Sequence, residues 1–358
     1  MITTTQAPDP VRILPRGNWL DESGEIVEPA VPHFLPQIEA EGRRATRLDL
    51  ARWLTSPDNP LTARVFVNRQ WKLFFGQGLA RTPEDLGSQG EWPTHPELLD
   101  WLAVDFVESG WDVKHLVRTL VTSATYRQAS RASAVVAERD PDNRLFARQA
   151  RFRLDAEMVR DNALAVSGLL STKMGGPGVH PYQPRGYWAY LNFPPREWDD
   201  SAGDDQYRRA VYTWWQRAFP QPSLAAFDAP SREECVADRT RANVPQQALA
   251  LLNDPTYVEA ARVFAERILR EGGTTFDARL RWAYERALGR APRAAEERIL
   301  SALLQTHRAQ YRADPRAAER LALAGRAPAA NGLDVVELAG WTSVARAILN
   351  LPEMITRS

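Results

Sequence analysis

Residues 151–161 place three arginines and three carboxylates within eleven positions: Arg151, Arg153, Asp155, Glu157, Arg160 and Asp161. Taken as a helix, Arg153, Glu157, Arg160 and Asp161 fall at i, i+4, i+7 and i+8 and share a face. Two carboxylates one turn apart can divide acid and base roles when unequal burial pushes their pKa values apart. Glu157 and Asp161 are therefore candidate catalytic residues, with Arg153 and Arg160 as binding groups. The neighbouring guanidinium groups disfavour a metal cation at this face, and no metal site is expected. The competing reading is a polar network that locks the helix to its neighbours. If buried, such a network costs roughly 3–5 kcal/mol when one partner is removed. Leu154, Met158, Leu164 and Leu169 lie near a second stripe, expected to meet the core.

Two further groups have chemical potential. Arg239, Arg241 and Asn243 lead into Gln246, Gln247, Asn253 and Asp254. Arginines ahead of a helix N-terminus suit an anion, because the first N–H groups are unpaired; a cap with an inter-helix brace is the plainer alternative. The third group is an irregular run rich in proline and aromatics. It begins at Gly175-Gly176-Pro177-Gly178 and carries Tyr182, Tyr187, Trp188, Tyr190, Phe193, Trp198, Tyr207, Tyr212, Trp214 and Trp215. Disordered segments are poor in aromatics, and long ordered loops are often functional. Tyr182 and Trp188 are its candidate binding residues, suited to stacking on a sugar ring, unless the loop is simply a lid packed on helices. His95 and His180 lack zinc-site spacing, and no P-loop, GxSxG or GxGxxG pattern is present.

Bulk composition excludes several classes. Lys plus Arg and Asp plus Glu are both 45, so the formal charge is zero. That removes the cationic surplus on which nucleic-acid affinity rests, and no nucleic-acid partner is expected. Cys235 is the one cysteine, which leaves no disulfide, no CxxC zinc pattern and no CxxCH haem attachment in this chain. It reads as a small buried hydrophobe. The twelve tryptophans read chiefly as core. No apolar run approaches the roughly 20 residues that cross a bilayer, and residues 1–9 have no signal-peptide pattern.

The elements that must position these groups are helical. Residues 1–46, with six prolines at 8, 10, 15, 29, 32 and 36, predict an extended arm or linker. Helices are predicted at 47–54, after a cap at Asn59-Pro60, after a capping box at Thr94 to Glu97, after Asp112, and through the charged stretch to about 170. Whether 209–218 is helix or strand stays open. A helix capped by Asn243, one opened by Asp254-Pro255 and closed by Gly272, and three more at 275–288, 292–311 and 334–349 complete the set. The fold class is mainly α: a multi-helix globular domain with a long aromatic and proline-rich irregular insertion. Its parts are the arm 1–46 and a helical domain 47–358, divided into a helical block 47–172, an aromatic loop region 173–232 and a helical block 233–358.

These stretches carry a family pattern. The residues are Arg47-Leu48-Asp49-Leu50-Ala51-Arg52-Trp53-Leu54, Asn59-Pro60-Leu61-Thr62-Ala63-Arg64-Val65, Asn68-Arg69-Gln70-Trp71, and His95-Pro96-Glu97-Leu98-Leu99-Asp100-Trp101-Leu102. Further on come Arg153-Leu154-Asp155-Ala156-Glu157 with Arg160-Asp161, Gly175-Gly176-Pro177, Pro181-Tyr182-Gln183-Pro184, Ala226-Phe227-Asp228-Ala229-Pro230 with Cys235, and Leu251-Leu252-Asn253-Asp254. In combination they resemble the planctomycete-specific C-terminal domain family of unknown function (PSD1 type), over about residues 45–358. Gln246 stands where leucine is expected. The resemblance implies a domain that closes large secreted, cytochrome c-linked proteins. It implies as partners an upstream planctomycete-specific domain and a c-type cytochrome domain, on the same protein or a separate one, which would carry any haem c; no cofactor is expected in this chain. Residues 16–36 resemble the linker between such domains, so the chain is similar to the C-terminal portion of a longer protein. A periplasmic or secreted location is implied by the same likeness, and a cytoplasmic one if the chain stands alone. The family brings no catalytic residues to transfer. The expected function is an accessory domain offering a docking or ligand-binding surface, with a glycan as a candidate ligand. The alternative is an oxidoreductase or polysaccharide-active enzyme using Glu157 and Asp161 with an aromatic substrate wall.

Overall fold

A computed structural model describes residues 6–184, 186–190, 197–328 and 331–357. The chain divides into two compact units, Met1–Gln149 and Ala150–Ser358. Among the described residues there are fourteen α-helices and two short two-stranded sheets, so the protein is mainly α.

In the first unit, the arm carries a hairpin of β1 (Val11–Arg12) and β2 (Ile26–Val27). Five helices follow: α1 (Arg47–Leu54), α2 (Thr62–Phe75), α3 (Pro96–Glu108), α4 (Val113–Thr122) and α5 (Ala134–Arg139). Thr46 and Asp49 form a capping box at α1. Arg43 grips the same carboxylate at 2.6 and 2.7 Å. These bonds, Arg43 first, hold the Asp49 carboxyl well below the usual range. Asn59 accepts from the N–H groups of Leu61 and Thr62, so α2 starts two residues after Pro60. No side chain caps α3. The box expected at Thr94 is absent because its hydroxyl faces the Leu79 carbonyl and the His95 ring. Trp71, Phe75, Leu102, Phe106, Leu116 and Phe146 build the core. Buried Asn68 exchanges bonds of 2.8 and 3.0 Å with the Ala80 backbone and fixes the turn behind α2.

In the second unit, β3 (Phe152–Arg153) pairs antiparallel with β4 (Thr356–Arg357). Nine helices lie between: α6 (Ala156–Ser167), α7 (Pro222–Ala226), α8 (Pro245–Asn253), α9 (Pro255–Glu271), α10 (Phe276–Leu288), α11 (Ala294–Ala313), α12 (Pro315–Ala322), α13 (Val335–Leu349) and α14 (Pro352–Ile355). Asp254 caps α9, and Thr275 and Asp334 cap α10 and α13. The centre is the pair α9 and α13, with α6, α11 and α12 packed around it. Helix α13 is buried almost along its length, with Trp341 fully enclosed. Gly340 lets Leu304 approach so closely that a Cβ there would stand 3.0 Å from its Cδ1.

Three expectations change here. Helix α6 begins at Ala156 after an Asp155 cap, so Arg153 lies on a strand and not on the charged helical face. Met158 is exposed, because α6 buries Ala156, Val159, Arg160, Ala163 and Leu164 instead. Of the twelve tryptophans, Trp71, Trp188 and Trp341 are buried, while Trp19, Trp92, Trp101 and Trp214 are exposed. Residues 209–218 form neither regular element beyond a 3-10 turn at Ala210–Tyr212.

Helix α9 also anchors a turn. Glu259, wholly buried, accepts from the N–H groups of Arg326 and Ala327, both at 2.6 Å. Arg262, equally buried, donates to the carbonyls of Ala324 and Ala327 and pairs with Glu266. Gly325 sits at φ +95°, and a Cβ there would fall 2.2 Å from the Glu259 Cδ. Gly332 is also at positive φ but faces open space. Gly332→Ala should therefore cost only left-handed strain, about 1–2 kcal/mol. Gly325→Ala should cost at least ~3 kcal/mol by also breaking a buried network. Equal losses in denaturant unfolding of the two variants would contradict this packing.

Candidate functional site

The predicted site residues separate into three places. At the start of α6, Arg239 contacts Glu157 at 2.7 Å and Asp155 at 3.8 Å, and Arg241 reaches Asp155 at 3.6 Å. Arg153 donates to Gln247 and to Asn243, both at 2.5 Å. Asn243 is thus a tertiary acceptor, and α8 has no side-chain cap. Asp228, at φ 61°, accepts from the Ala242 N–H at 2.7 Å. The concavity among Arg153, Asp155, Arg239 and Arg241 measures about 10 Å³, room for about one water. The guanidinium groups fill the space an anion would need, so this is a clamp joining the 228–247 segment to α6. Cys235 lies exposed on that segment rather than buried.

Arg160 and Asp161 have partners other than those of Glu157. The Arg160 guanidinium is enclosed and donates to the carbonyls of Arg208 and Gln206 at 2.8 and 2.9 Å. Asp161 accepts from the Ala210 N–H at 2.7 Å and lies 3.9 Å from Arg160. Burial raises the Asp161 carboxyl, opposed by that backbone bond and by Arg160. Asp254 is raised by burial in the same way. Burial pulls the Arg160 guanidinium down, opposed chiefly by Asp161. Glu157 and Asp161 therefore lie one turn apart on α6, near enough for the Glu157 charge to add to the rise of Asp161, but they serve different partners.

Tyr182 belongs to a third place. Its hydroxyl donates to Glu259 at 2.9 Å, and Tyr207 donates to the same carboxylate at 2.8 Å. Burial, then the Glu259 charge, drives the Tyr182 hydroxyl well above its ordinary pKa. Both rings are buried, so Tyr182 is a structural tie and not a substrate wall. Trp188 is elsewhere again, stacked on Trp198 at 5.5 Å and 15° and on Phe219 at 5.1 Å and 22°. Trp214 flanks it, tilted 46° to Trp198. His180, Trp188, Glu197, Trp198, Asp199 and Trp214 line an open cleft of about 140 Å³. Phe193 lies outside the described residues, as does the Tyr190 side chain.

What builds that cleft is a set of buried side chains that serve the irregular backbone. Arg208 donates to the carbonyls of Pro177, Lys173 and Gly175 while its guanidinium covers the Tyr212 ring at 3.9 Å. Gln221 donates to the Tyr182 carbonyl and caps α7 through the Leu224 N–H. Gln206, its amide nitrogen facing acceptors, donates to the carbonyls of Ser201 and His180 and accepts from the Tyr182 N–H. Backbone bonds from Val179 to Tyr212 and from Trp214 back to Val179 complete the wall. Sequence reasoning did not single out Arg208, Glu259 or Arg262. Glu259 and Arg262 stand three apart, as an ordinary solvated pair would.

The PSD1 family model, described as a protein of unknown function (DUF1553), matches residues 46–304. The chain belongs to the PSD1 family. No curated protein and no solved structure matches it. The match spans the clamp, Arg160 and the cleft of this PSD1 chain, while the turn at 324–328 lies beyond it. Among the described residues, no three His, Cys, Asp or Glu side chains gather closely enough to hold a metal ion. No helix of the described residues is long and apolar enough to cross a membrane.

The Asp161 environment makes a pH-dependent prediction. Its folded pKa is raised above 3.8, so its stabilisation is complete below that value and is lost as pH rises through the raised one. An asparagine keeps the acceptor for Ala210 and escapes that loss. Asp161→Asn should therefore stay within about 1 kcal/mol of the parent at neutral pH, gaining relative to it from pH 4 to 7. Glu157→Gln, facing a half-exposed Arg239, should cost ~1 kcal/mol or less. Urea unfolding at several pH values checks both; a parent that gains on Asp161→Asn as pH rises would contradict the burial argument.

Proposed function

We propose that this PSD1 chain is a ligand-binding, accessory domain whose recognition site is the cleft walled by Trp188, Trp198 and Trp214. The observation that carries the reading is the contrast among the polar and aromatic groups. The acidic and basic signature residues are engaged in holding the backbone, whereas Trp214 remains 37% exposed beside an open concavity. Partly exposed indoles in a cleft are costly to leave in water and well suited to stacking. Glycans and organic cations are among the ligands that indole faces serve.

The wider setting is part of the same proposal. The resemblance of residues 16–36 to an inter-domain linker supports a place in a periplasmic planctomycete assembly. There an upstream planctomycete-specific domain and a c-type cytochrome domain are the partners, and haem c resides on them. The alternative of an oxidoreductase or polysaccharide-active enzyme has less support. Glu157 is taken by Arg239, Asp161 by the Ala210 N–H, and neither faces the tryptophans.

Indole N–H resonances of the labelled protein, followed against a panel of neutral and acidic oligosaccharides and alkylammonium salts, test the reading. Shifts should centre on Trp214 and Trp198. Trp214→Ala should weaken whichever panel member binds by about tenfold, the loss of one stacking contact, with the thermal midpoint retained. Binding undiminished in Trp214→Ala, or no shift with any panel member, would contradict it.

A further inference from the structure

The lining of the cleft narrows the ligand class. Two carboxylates, Glu197 and Asp199, stand exposed at its rim, and among the described residues that line it there is neither lysine nor arginine. The adjacent Asp200 is neutralised by Arg326 at 3.3 Å, whereas Glu197 and Asp199 have no ion pair with any other described residue. The donors of the inner wall are turned away. Trp188 Nε1 donates to Gln183 at 2.6 Å, and Trp198 Nε1 donates to the Pro181 carbonyl at 2.9 Å. The His180 ring packs on Trp198 at 4.4 Å, with Nδ1 at 3.2 Å from the Asp199 carbonyl. What the described residues leave towards the opening is chiefly the Trp214 indole, the part of Trp198 that is not covered, and anionic oxygen, with Trp188 buried behind them.

That surface is complementary to positive charge. A cation over an indole face is attracted by the ring quadrupole, and more strongly when water is displaced. A neutral sugar would find more acceptors than donors, since of the three lining indoles only Trp214 keeps an N–H that no described group accepts. A primary ammonium is strongly hydrated and asks for several acceptors at once. A quaternary ammonium, weakly hydrated and sheathed in methyl groups, asks only for aromatic faces and nearby negative charge. The volume of about 140 Å³ suits a head of a few non-hydrogen atoms rather than an oligosaccharide. We infer that the cleft of Trp198 and Trp214, backed by the buried Trp188, binds the quaternary or N-methylated ammonium head of a small molecule, with Glu197 and Asp199 as the counter-charges. The inference rests on the reading of this cleft as the recognition site and assigns its ligand chemistry.

Choline and its uncharged carbon isostere, 3,3-dimethylbutan-1-ol, separate charge from shape. Titrated into the full chain by calorimetry and indole N–H spectra, choline should bind at least tenfold more tightly than the isostere. Asp199→Asn, which leaves the backbone carbonyl on His180 in place, should weaken choline at least threefold and leave the isostere unchanged. Equal binding of choline and isostere, or choline binding indifferent to both Asp199→Asn and Glu197→Gln, overturns the cationic assignment while leaving an apolar cleft. Shifts at Trp214 with a neutral oligosaccharide and none with choline overturn it too, and support the recognition site itself. Silence of Trp198 and Trp214 towards every ligand overturns both.

Discussion

Backbone N–H and C=O groups removed from water must be hydrogen-bonded, and the described residues between 173 and 221 have almost no α-helix or sheet with which to do it. The structure meets that constraint with long side chains. Arg160 reaches from α6 to the carbonyls of Gln206 and Arg208, and Arg208 in turn reaches the carbonyls at 173, 175 and 177. Gln221 and Gln206 hold the segment around Tyr182. Glu259 joins Tyr182 and Tyr207 to the turn at 326–327. Arginine suits this duty because its fork offers five donors in a plane and stays charged. The aromatic cleft exists because this framework holds its wall.

The charge of the buried arginine then has to be balanced. Asp161 and Asp254 act against the lowering of Arg160, and each has its own pKa raised by burial. Such an arrangement stabilises little in net terms, since desolvation offsets attraction, and with two carboxylates acting on Arg160 the loss of one charge leaves the other as its counter-charge. It selects one path for the chain over others. The clamp of Arg153, Arg239 and Arg241 on the start of α6 does the same for the segment leading to α8. In both places the charges that looked poised for acid and base chemistry determine where the backbone runs.

Helix starts with a local cap were legible: Asp112 and Asp254 accept from the N–H groups of the helices they were expected to open, and the helices expected from 275 and 334 begin directly after Thr275 and Asp334. Features decided by distant partners were not. The charged periodicity ran smoothly through Arg153, but a strand partner some two hundred residues later draws that residue out of the helix. Asn243 has the right type and place for a cap, but Arg153 occupies its oxygen. Tyr182 and Trp188 were grouped by composition, and the fold sends one to a buried carboxylate and the other to a tryptophan stack. The importance of the aromatic region was legible; which rings stay open to solvent was not, because that depends on what Arg208 and Glu259 hold in place.

Hydrogen exchange measured on the parent and on Arg208→Met tests the central claim that side-chain grips order the irregular segment. Amides of Ser171, Val179 and Trp214, which bond across the two strips that Arg208 joins, should exchange at least tenfold faster in the variant. Amides in α9 and α13 should keep their protection. Unchanged exchange at those three amides, with Arg208→Met folded, would contradict the account.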